Sequence, residues 1–233
     1  MMAIRSFTVS SAVVVLNVCA LGSAIADESP AVPRPKDVHA RVVLEPELTK
    51  WDAIQQNAAR DCAAALPAGD PQRPYRHIKY RITLATSKLY SFFAEVEEFC
   101  GSARPVTTYY ARTFDVTSGG AFNPLSLYKV ASSDKPDQQS AKVRKEFSSQ
   151  LRSALLHSRA FANIERSACE GLLSKDSFDY IQISDISLAK RGLAVVYVKE
   201  PAACYFPQPI EVPYIQLRSF VDRAEARRLN WKN

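Results

Sequence analysis

Three strand-like runs near the middle of the chain constrain the fold more than any other feature of the sequence. Only short turns separate these runs, which occupy residues 77–85, 88–99 and 106–116. In the second run every other residue from Tyr90 to Val96 is apolar, so that these side chains share one face of a strand. Short connections join antiparallel neighbours, and the sequence therefore predicts an antiparallel meander over 76–117.

A helix is predicted on each side of this meander. The first spans about 47–66 and is opened by Pro46, because proline is favoured in the first turn of a helix. Residues 38–45, which precede this proline, are interpreted as a further strand. The apolar face of the first helix follows a spacing of three and four residues and consists of Leu48, Trp51, Ile54, Ala58, Cys62 and Ala65. The second helix spans about 138–157 and has an inner face of Val143, Phe147, Leu151, Ala154 and Leu155.

The remaining strands lie in the C-terminal part of the chain, at about 177–184, 193–198 and 210–217. The middle one, LAVVYV, is apolar on both faces, which is typical of a central strand. Since strands and helices are grouped rather than alternating, the predicted fold class is α+β, with one continuous antiparallel sheet packed against two main helices. A single domain is expected over 38–221, between a flexible proline-rich leader at 27–37 and a basic, helical C-terminal tail at 222–233.

The N-terminus has the pattern of a secretory signal. Arg5 is the only charged residue among the first 26, and the apolar run that follows it ends in Ala24-Ile25-Ala26. A short charged region, an apolar region and an A-x-A site predict cleavage after Ala26. The run is too short and too interrupted to favour a permanent membrane span, which needs about 20 predominantly apolar residues. Two alternatives stay open, namely lipidation at Cys19 and an uncleaved anchor.

We therefore expect a periplasmic or secreted protein without an integral membrane span after signal cleavage. Loss of Arg5 lowers the net charge from +6 to +5. This mildly basic balance suits anionic partners such as cell-wall carboxylates. It is far from the charge of a nucleic-acid-binding protein, and export argues further against nucleic acid as a partner.

Four cysteines remain after cleavage: Cys62, Cys100, Cys169 and Cys204. An even number of cysteines in an exported chain predicts disulfides. Three pairings are possible, and the sequence alone does not choose between them. The arrangement that we favour is Cys62 with Cys100 and Cys169 with Cys204, so that two disulfides stabilise the fold.

The chain lacks the common catalytic and metal-binding motifs. No Cys or His spacing matches a zinc site, and the histidines lie apart in sequence, at His39, His77 and His157. We therefore expect no metal and no cofactor. Carboxylates are the remaining candidates for acid–base catalysis. Glu95 and Glu97 share one strand face and Glu98 lies on the other, and the simpler interpretation is a solvated strand face.

Two loops combine a stiff backbone with side chains suited to contact a protein. One loop, at 199–209, contains three prolines, and the other follows Cys100 and leads into the third strand-like run. Large side chains on pre-ordered loops are typical of protein-binding sites. The candidate binding residues on the two loops are Arg104, Pro105, Tyr109, Pro201, Tyr205 and Phe206. The alternative for the aromatic pair is that it closes the end of the sheet.

Two longer stretches resemble a known family. The first, EFCGSARPVTTYYARTFDVTSGGAFNPLSLY, is similar to that family's strand, glycine-containing turn, aromatic strand ending in aspartate, and turn before a leucine-rich segment. The second, GLAVVYVKEPAACYFPQPIEVPYIQL, is similar to its hydrophobic strand, proline- and tyrosine-containing loop and closing strand. The family is the RsiV-like extracytoplasmic domain of unknown function, which occurs in a lysozyme-sensing anti-sigma factor and in peptidoglycan deacetylases of the PdaC type. The resemblance covers roughly residues 38–221.

This resemblance implies a non-catalytic, extracytoplasmic α+β module. Its expected partner is a cell-wall component such as peptidoglycan, or a wall-active protein such as lysozyme. The chain departs from the family because Arg104 stands where a histidine is usual and because cysteines are added, and we expect neither a sigma-binding segment nor a deacetylase module. Animal-type lysozymes are basic, as is this chain, so their association needs a local acidic patch such as that of Glu95, Glu97 and Glu98.

Two functions of other classes are kept as alternatives to the binding module. One is a hydrolase acting on the cell wall, with Glu95, Glu97 or Asp115 as its carboxylates. It requires a compact cleft that holds two of these groups within reach of one substrate. The other is a structural envelope protein without a discrete ligand, which would tolerate the loss of Tyr205 and Arg104.

Overall fold

The computed structural model describes residues 30–65, 73–102, 104–129, 138–156, 182–198 and 209–231. In these ranges the helices are α1 (Val38–Ala64), α2 (Gln138–Leu156), α3 (Tyr214–Leu217) and α4 (Arg223–Arg228). Two 3₁₀ helices span Pro124–Leu127 and Arg218–Phe220. The strands are β1 (Tyr75–Ala85), β2 (Leu89–Phe99), β3 (Val106–Asp115), β4 (Gln182–Leu188), β5 (Gly192–Val198) and β6 (Ile210–Pro213).

The first sheet is the antiparallel meander that the sequence predicts. Its strand order is β1-β2-β3, and Ala94 pairs with Tyr80 on one side and with Tyr110 on the other. The even-numbered apolar side chains of β2 share one face, as expected from strand alternation, and they are fully buried with α1 above them. The only register shift in this pair of ladders lies between Ile82 and Leu84.

A second sheet has the order β4-β5-β6, and the prediction of one continuous sheet is therefore wrong. No described strand pairs with the outer edge of β3, because other groups occupy its backbone there. The Asp185 carboxylate accepts from the Ala111 N–H at 3.0 Å, and the Phe122 N–H donates to the Thr113 carbonyl at 2.8 Å. The residues of β4 lie across β1, β2 and β3 instead of extending them.

Strand β5 is central in its sheet, as its two apolar faces predict. Leu193 and Val195 belong to the same buried cluster as the inner face of α2. Val196, on the opposite face, packs against Phe93 and Ala111 of the first sheet. The layers of the molecule therefore follow the order α1, first sheet, second sheet and α2. This supports the α+β class with antiparallel sheets and two main helices.

Helix α1 begins at Val38, so the strand predicted at 38–45 is wrong. Asp37 caps the helix by accepting from the Ala40 N–H at 2.8 Å, a preferred use of aspartate at this position. The buried stripe then continues at helical spacing through Ala40, Leu44, Leu48 and Trp51. Pro46 lies inside the helix on its exposed side and does not open it. In the second half Gln55 is buried, whereas the predicted core residue Ile54 is 51% exposed.

One disulfide ties α1 to the first sheet. Cys62 near the end of the helix is bonded to Cys100 just after β2, with the two Cα atoms 4.8 Å apart. This confirms the first of the two predicted pairs. Cys169 and Cys204 lie outside the described residues, so the second pair stays a prediction.

Both ends of the described chain pack against this framework. Val32, in the leader predicted to be flexible, is 2% exposed, and its N–H donates to Asp52 on α1 at 2.8 Å. At the C-terminus Trp231 packs perpendicular to Tyr214, with 4.9 Å between ring centroids. The predicted signal segment and cleavage site lie outside the described residues. Of the helices in the described ranges, none has the length and apolarity that a membrane span requires.

Candidate functional site

The loop after Cys100 forms a braced and exposed rim. We use this name for residues 100–106, with Ala103 outside the described residues. Gly101 has φ of 86°, a conformation that favours glycine, and the Ser102 hydroxyl donates to the Arg104 carbonyl at 2.6 Å. The predicted binding residues Arg104 and Pro105 are both exposed here. The disulfide holds one end of the rim on the framework.

Of the other predicted binding residues, Tyr109 alone belongs to the described part of the chain. Tyr109 is half-buried and stacks on Phe93, with 5.7 Å between ring centroids and 18° between planes. Pro201, Tyr205 and Phe206 lie outside the described residues. A composite site built from the two loops therefore stays a prediction.

The carboxylates proposed for catalysis occupy different positions on the first sheet. Glu95 lies 3.8 Å from Lys79, and Glu97 accepts from the Tyr75 hydroxyl at 3.3 Å on the same face. Glu98 is on the α1 side, where it forms an ion pair with Arg76. Asp115 lies at the other end of the sheet, about 20–30 Å along the strands at about 3.4 Å per residue. Glu95 and Glu97 are therefore neighbours on one face, whereas Glu98 and Asp115 lie away from them, and the hydrolase alternative stays a prediction.

Asp115 instead holds the C-terminal helix and the turn after β3. It accepts from the Thr117 N–H at 2.7 Å and pairs with Arg228 at 3.1 Å. Burial acts to raise the pKa of this carboxyl, but the hydrogen bonds and the nearby guanidinium outweigh burial and hold the pKa below its usual range. Gly119, in the same turn, has φ of 74° and lies against Val43 of α1, which a side chain there would crowd.

A cleft lies along the outer edge of β3, and no pattern in the sequence indicated it. We call it the α2 cleft. It has a volume of about 630 Å³. Its walls come from β3, the segment Ala121–Leu125, helix α2 and strand β4, and the residues that line it are Ala111, Arg112, Thr113, Ala121, Phe122, Asn123, Pro124, Leu125, Phe147, Ser148, Leu151, Asp185 and Ile186.

An ion pair forms the polar side of the α2 cleft. Asp185 pairs with Arg112 of β3, and the same carboxylate oxygen accepts from the Ala111 N–H. The guanidinium also donates to the Ala111 carbonyl at 3.0 Å and lies 5.3 Å from the ring centroid of Trp51. Four contacts thus fix the two charged groups in place. Fixed charges of this kind orient a polar ligand group without reorganisation on binding.

The opposite side of the α2 cleft is apolar. Phe147 and Leu151 of α2 are almost fully buried, at 4% and 2% exposure, and they form its floor. Leu125 lies in the short 3₁₀ helix, which Asn123 caps by accepting from the Leu125 N–H at 3.0 Å. The result is a preformed concavity with an apolar wall and a single ion pair. No group of three or more His, Cys, Asp or Glu side chains that would hold a metal ion occurs in the described part of the chain.

Sequence reasoning missed Arg112, Asp185 and Asn123 as site residues. The Asn-Pro pair at Asn123 marks a turn and is visible in the sequence. Arg112 and Asp185 are far apart in the chain, and each looks like an ordinary polar residue of a strand. Their meeting depends on the crossing of β4 over β3, which local patterns do not encode.

Among the solved structures that are similar to the chain are two DUF3298 family proteins. A DUF3298 family protein from Pseudomonas aeruginosa PAO1 shares 13% sequence identity at a TM-score of 0.44, with 79% of this chain and 77% of that chain covered. A member of the DUF3298 family from Bacteroides fragilis NCTC 9343 shares 15% identity at a TM-score of 0.43, with 76% of this chain and 66% of that chain covered. No protein-family model matches the chain, and no curated protein matches it significantly. At these identities and TM-scores the similarity indicates no function for this chain.

Proposed function

We propose that the protein is an exported, non-catalytic binding module and that the α2 cleft holds its ligand. The observation that supports this most is the cleft itself. Its volume of about 630 Å³ lies within the range of about 300–1,000 Å³ that is usual for ligand sites. Its lining also has the usual composition of such sites, with an apolar wall and a few fixed polar groups.

The proposed ligand is a cell-wall component or a wall-active protein such as lysozyme. This choice follows the resemblance to the RsiV-like domain and the N-terminal signal pattern. An apolar group of the ligand would contact Phe147, Leu151 and Leu125. A polar group beside it would contact the ion pair of Arg112 and Asp185. Because the guanidinium donates hydrogen bonds and the carboxylate accepts them, this pair favours a ligand that carries both an acceptor and a donor.

The experiment is a titration of the oxidised mature chain with lysozyme and with soluble peptidoglycan fragments, together with capture of periplasmic proteins. Two neighbouring serines of α2 provide a matched pair of variants, because Ser148 lines the cleft and Ser149 does not. Ser148→Trp places an indole at the cleft and is expected to weaken binding at least about tenfold, the effect of losing about 1.4 kcal/mol of binding free energy. Ser149→Trp is expected to bind as the wild type does.

Three outcomes would contradict the proposal. Absence of binding by the oxidised wild type to lysozyme, to the fragments and to any periplasmic protein would remove the function. Equal binding by both tryptophan variants would remove the cleft as the site. If Arg104→Ala abolishes binding while Ser148→Trp does not, the rim is the binding surface and the cleft is not.

A further inference from the structure

A second cleft, separate from the α2 cleft, lies between the first strand of one sheet and the hairpin of the other. Its volume is about 350 Å³. We call it the basic cleft. It is lined by Arg81, Ile82 and Thr83 of β1, by Ala189, Lys190 and Arg191 of the β4–β5 hairpin, and by Ala194, Pro209 and Glu211. It shares no lining residue with the α2 cleft.

Three cations and one carboxylate meet in the basic cleft. Arg81, Lys190 and Arg191 are exposed, and within the described ranges none of their charged groups is part of an ion pair. The Arg81 guanidinium lies over the Phe93 ring, 5.3 Å from its centroid. This contact positions the guanidinium without neutralising its charge. With the charge of Glu211 included, the lining carries a net charge of +2 at neutral pH.

The hairpin that carries two of these cations is held on three sides. The Tyr214 hydroxyl donates to the Ala189 carbonyl at 2.7 Å, and the Tyr214 N–H donates to the Arg191 carbonyl at 3.1 Å. The Arg191 N–H donates to a Glu211 carboxylate oxygen, also at 3.1 Å. Gly192 lies so close to the Val212 carbonyl that a Cβ at this position would be 2.1 Å from the carbonyl oxygen, which leaves no room for any side chain. The turn is therefore fixed before any ligand arrives.

A side-chain hydrogen bond also ties the two sheets together beside the basic cleft. The Thr83 hydroxyl, which lines the basic cleft, donates to the Leu188 carbonyl at 2.8 Å. This bond joins the strand that carries Arg81 to the strand that leads into the hairpin. A backbone that is fixed before binding favours affinity, because less conformational freedom is lost when the ligand binds.

We propose that the basic cleft binds a phosphate group through Arg81, Lys190 and Arg191. Two guanidinium groups match the geometry of phosphate oxygens, and lysine supplies a further point charge. A phosphate monoester carries a charge of about −1.5 to −2 near pH 7, which complements the net charge of the lining. Glu211 opposes an anion, and its role is to orient the hairpin through the Arg191 N–H. The phosphate belongs either to a lipid headgroup or to a soluble phosphorylated molecule.

Calorimetric titration of the full mature chain with inorganic phosphate and with glycerol phosphate tests the soluble source. Co-sedimentation with phosphatidylcholine vesicles, with and without phosphatidylglycerol, tests the lipid source. We expect binding in at least one arm, and binding that weakens as salt is added because exposed charges are screened. Binding to vesicles alone assigns the headgroup, and binding of glycerol phosphate alone assigns the soluble source.

Charge variants locate the site. Arg191→Gln and Arg81→Gln are each expected to weaken binding about tenfold, since a charge-assisted hydrogen bond is worth about 1.5–3 kcal/mol and is partly screened at an exposed site. Lys79→Gln removes the same charge from the same strand, outside the cleft, and is expected to retain wild-type affinity. Glu211→Gln keeps an oxygen acceptor for the Arg191 N–H but removes the opposing charge, so it is expected to bind about three to five times more tightly.

Two results would overturn the proposal. One is the absence of binding in both arms by a folded, oxidised chain. The other is an equal loss of affinity in Lys79→Gln and Arg191→Gln, which would show that only the overall charge matters. Neither result bears on the α2 cleft, because Ser148→Trp is read out with a different ligand.

Discussion

The two faces of the first sheet are covered in different ways. The face toward α1 is closed by aromatic packing, in which Trp51 lies edge-on to Phe92 at 5.5 Å and to Tyr110 at 5.4 Å. The disulfide to Cys100 adds a covalent tie on the same side. The face toward the second sheet has a small apolar cluster around Phe93 and Val196, and Leu84 and Leu89 at the β1–β2 turn join the cluster of α2 and the second sheet.

Polar contacts accompany the apolar packing on that second face. The Thr83 hydroxyl donates to the Leu188 carbonyl, and the Leu188 N–H donates to the Thr113 hydroxyl oxygen. The Asp185 carboxylate accepts from the Ala111 N–H. A strand that crosses a sheet brings backbone groups with it, and these must be paired when they are buried. Hydrogen bonds require particular directions, so they leave gaps between the two sheets that the close-packed side chains under α1 do not leave. Both clefts lie on this side of the sheet, so the proposed binding sites are separated from the aromatic packing under α1.

The largest effect is expected from Phe92→Ala. Phe92 is fully buried and lies against the rings of Trp51, Tyr80 and Phe114, so its loss leaves a cavity that rigid neighbours cannot fill. The expected loss is about 3–5 kcal/mol of unfolding free energy, measured by chemical denaturation. Phe93→Ala, on the other face, is the matched variant and should cost at least about 1 kcal/mol less, since its smaller cluster can relax. Equal losses would mean that the two faces do not differ in packing.

Removal of the disulfide tests the covalent part of the same contrast. The double variant Cys62→Ala/Cys100→Ala opens a link across a sequence separation of 38 residues. The expected destabilisation is about 2–4 kcal/mol, because the unfolded chain gains conformational freedom. The urea midpoint of the variant measures this loss, and wild type under reducing conditions serves as the comparison. A loss below about 1 kcal/mol would show that packing alone holds α1 on the sheet.

Thr113→Val tests the polar ties on the second face. The Thr113 hydroxyl oxygen accepts from the Leu188 N–H at 3.1 Å and from the Ser91 hydroxyl at 2.9 Å, and both donors are buried. Valine keeps the shape and removes the acceptor, so a loss of about 1–3 kcal/mol is expected in denaturation experiments. Thr108→Val, on the same strand but half-exposed, is the control and should change stability by less than about 0.5 kcal/mol. If both variants are equally stable, the hydroxyl bonds do not hold the sheets together.

The smallest effect is expected from Asp115→Asn, and it depends on pH. Because the folded-state pKa of Asp115 is lowered, the ionised group stabilises the fold above its usual pKa, near 4. That contribution disappears as the pH falls through the folded-state pKa. Wild type should therefore be more stable than the variant by about 1 kcal/mol at pH 7, and the difference should vanish at strongly acidic pH. Urea midpoints at several pH values measure it, and a difference that does not change with pH would exclude the pairing with Arg228.

Local patterns predicted most of the secondary structure. Strand alternation located the meander, and helical spacing located α2 and its inner face. The start of α1 was missed because Val42, Val43 and Pro46 favour a strand and a later helix start. The capping residue Asp37 and the spacing of Ala40, Leu44 and Leu48 carried the opposite signal, and burial against the sheet decided in favour of the helix.

The candidate site was less accessible to prediction than the fold. The exposed position of Arg104 and Pro105 follows from a turn between two strands, and the sequence shows that turn. The α2 cleft depends instead on which residues meet between β3, α2 and β4, and these segments are far apart in the chain. Hydrophobic periodicity reports which side of an element is buried, but it does not report which other element covers it.

The sequence by itself determined the strands of the first sheet, the inner face of α2 and the central place of β5, and it predicted disulfides without choosing between three pairings. Each of these follows from the spacing of side chains along one segment or from the chemistry of one residue type. Only the tertiary structure decided that the six described strands form two sheets and that β4 crosses β3 instead of extending it. The physical reason is that Asp185 and Phe122 occupy the outer backbone groups of β3, and such competition for hydrogen bonds arises between distant segments only when the chain has folded.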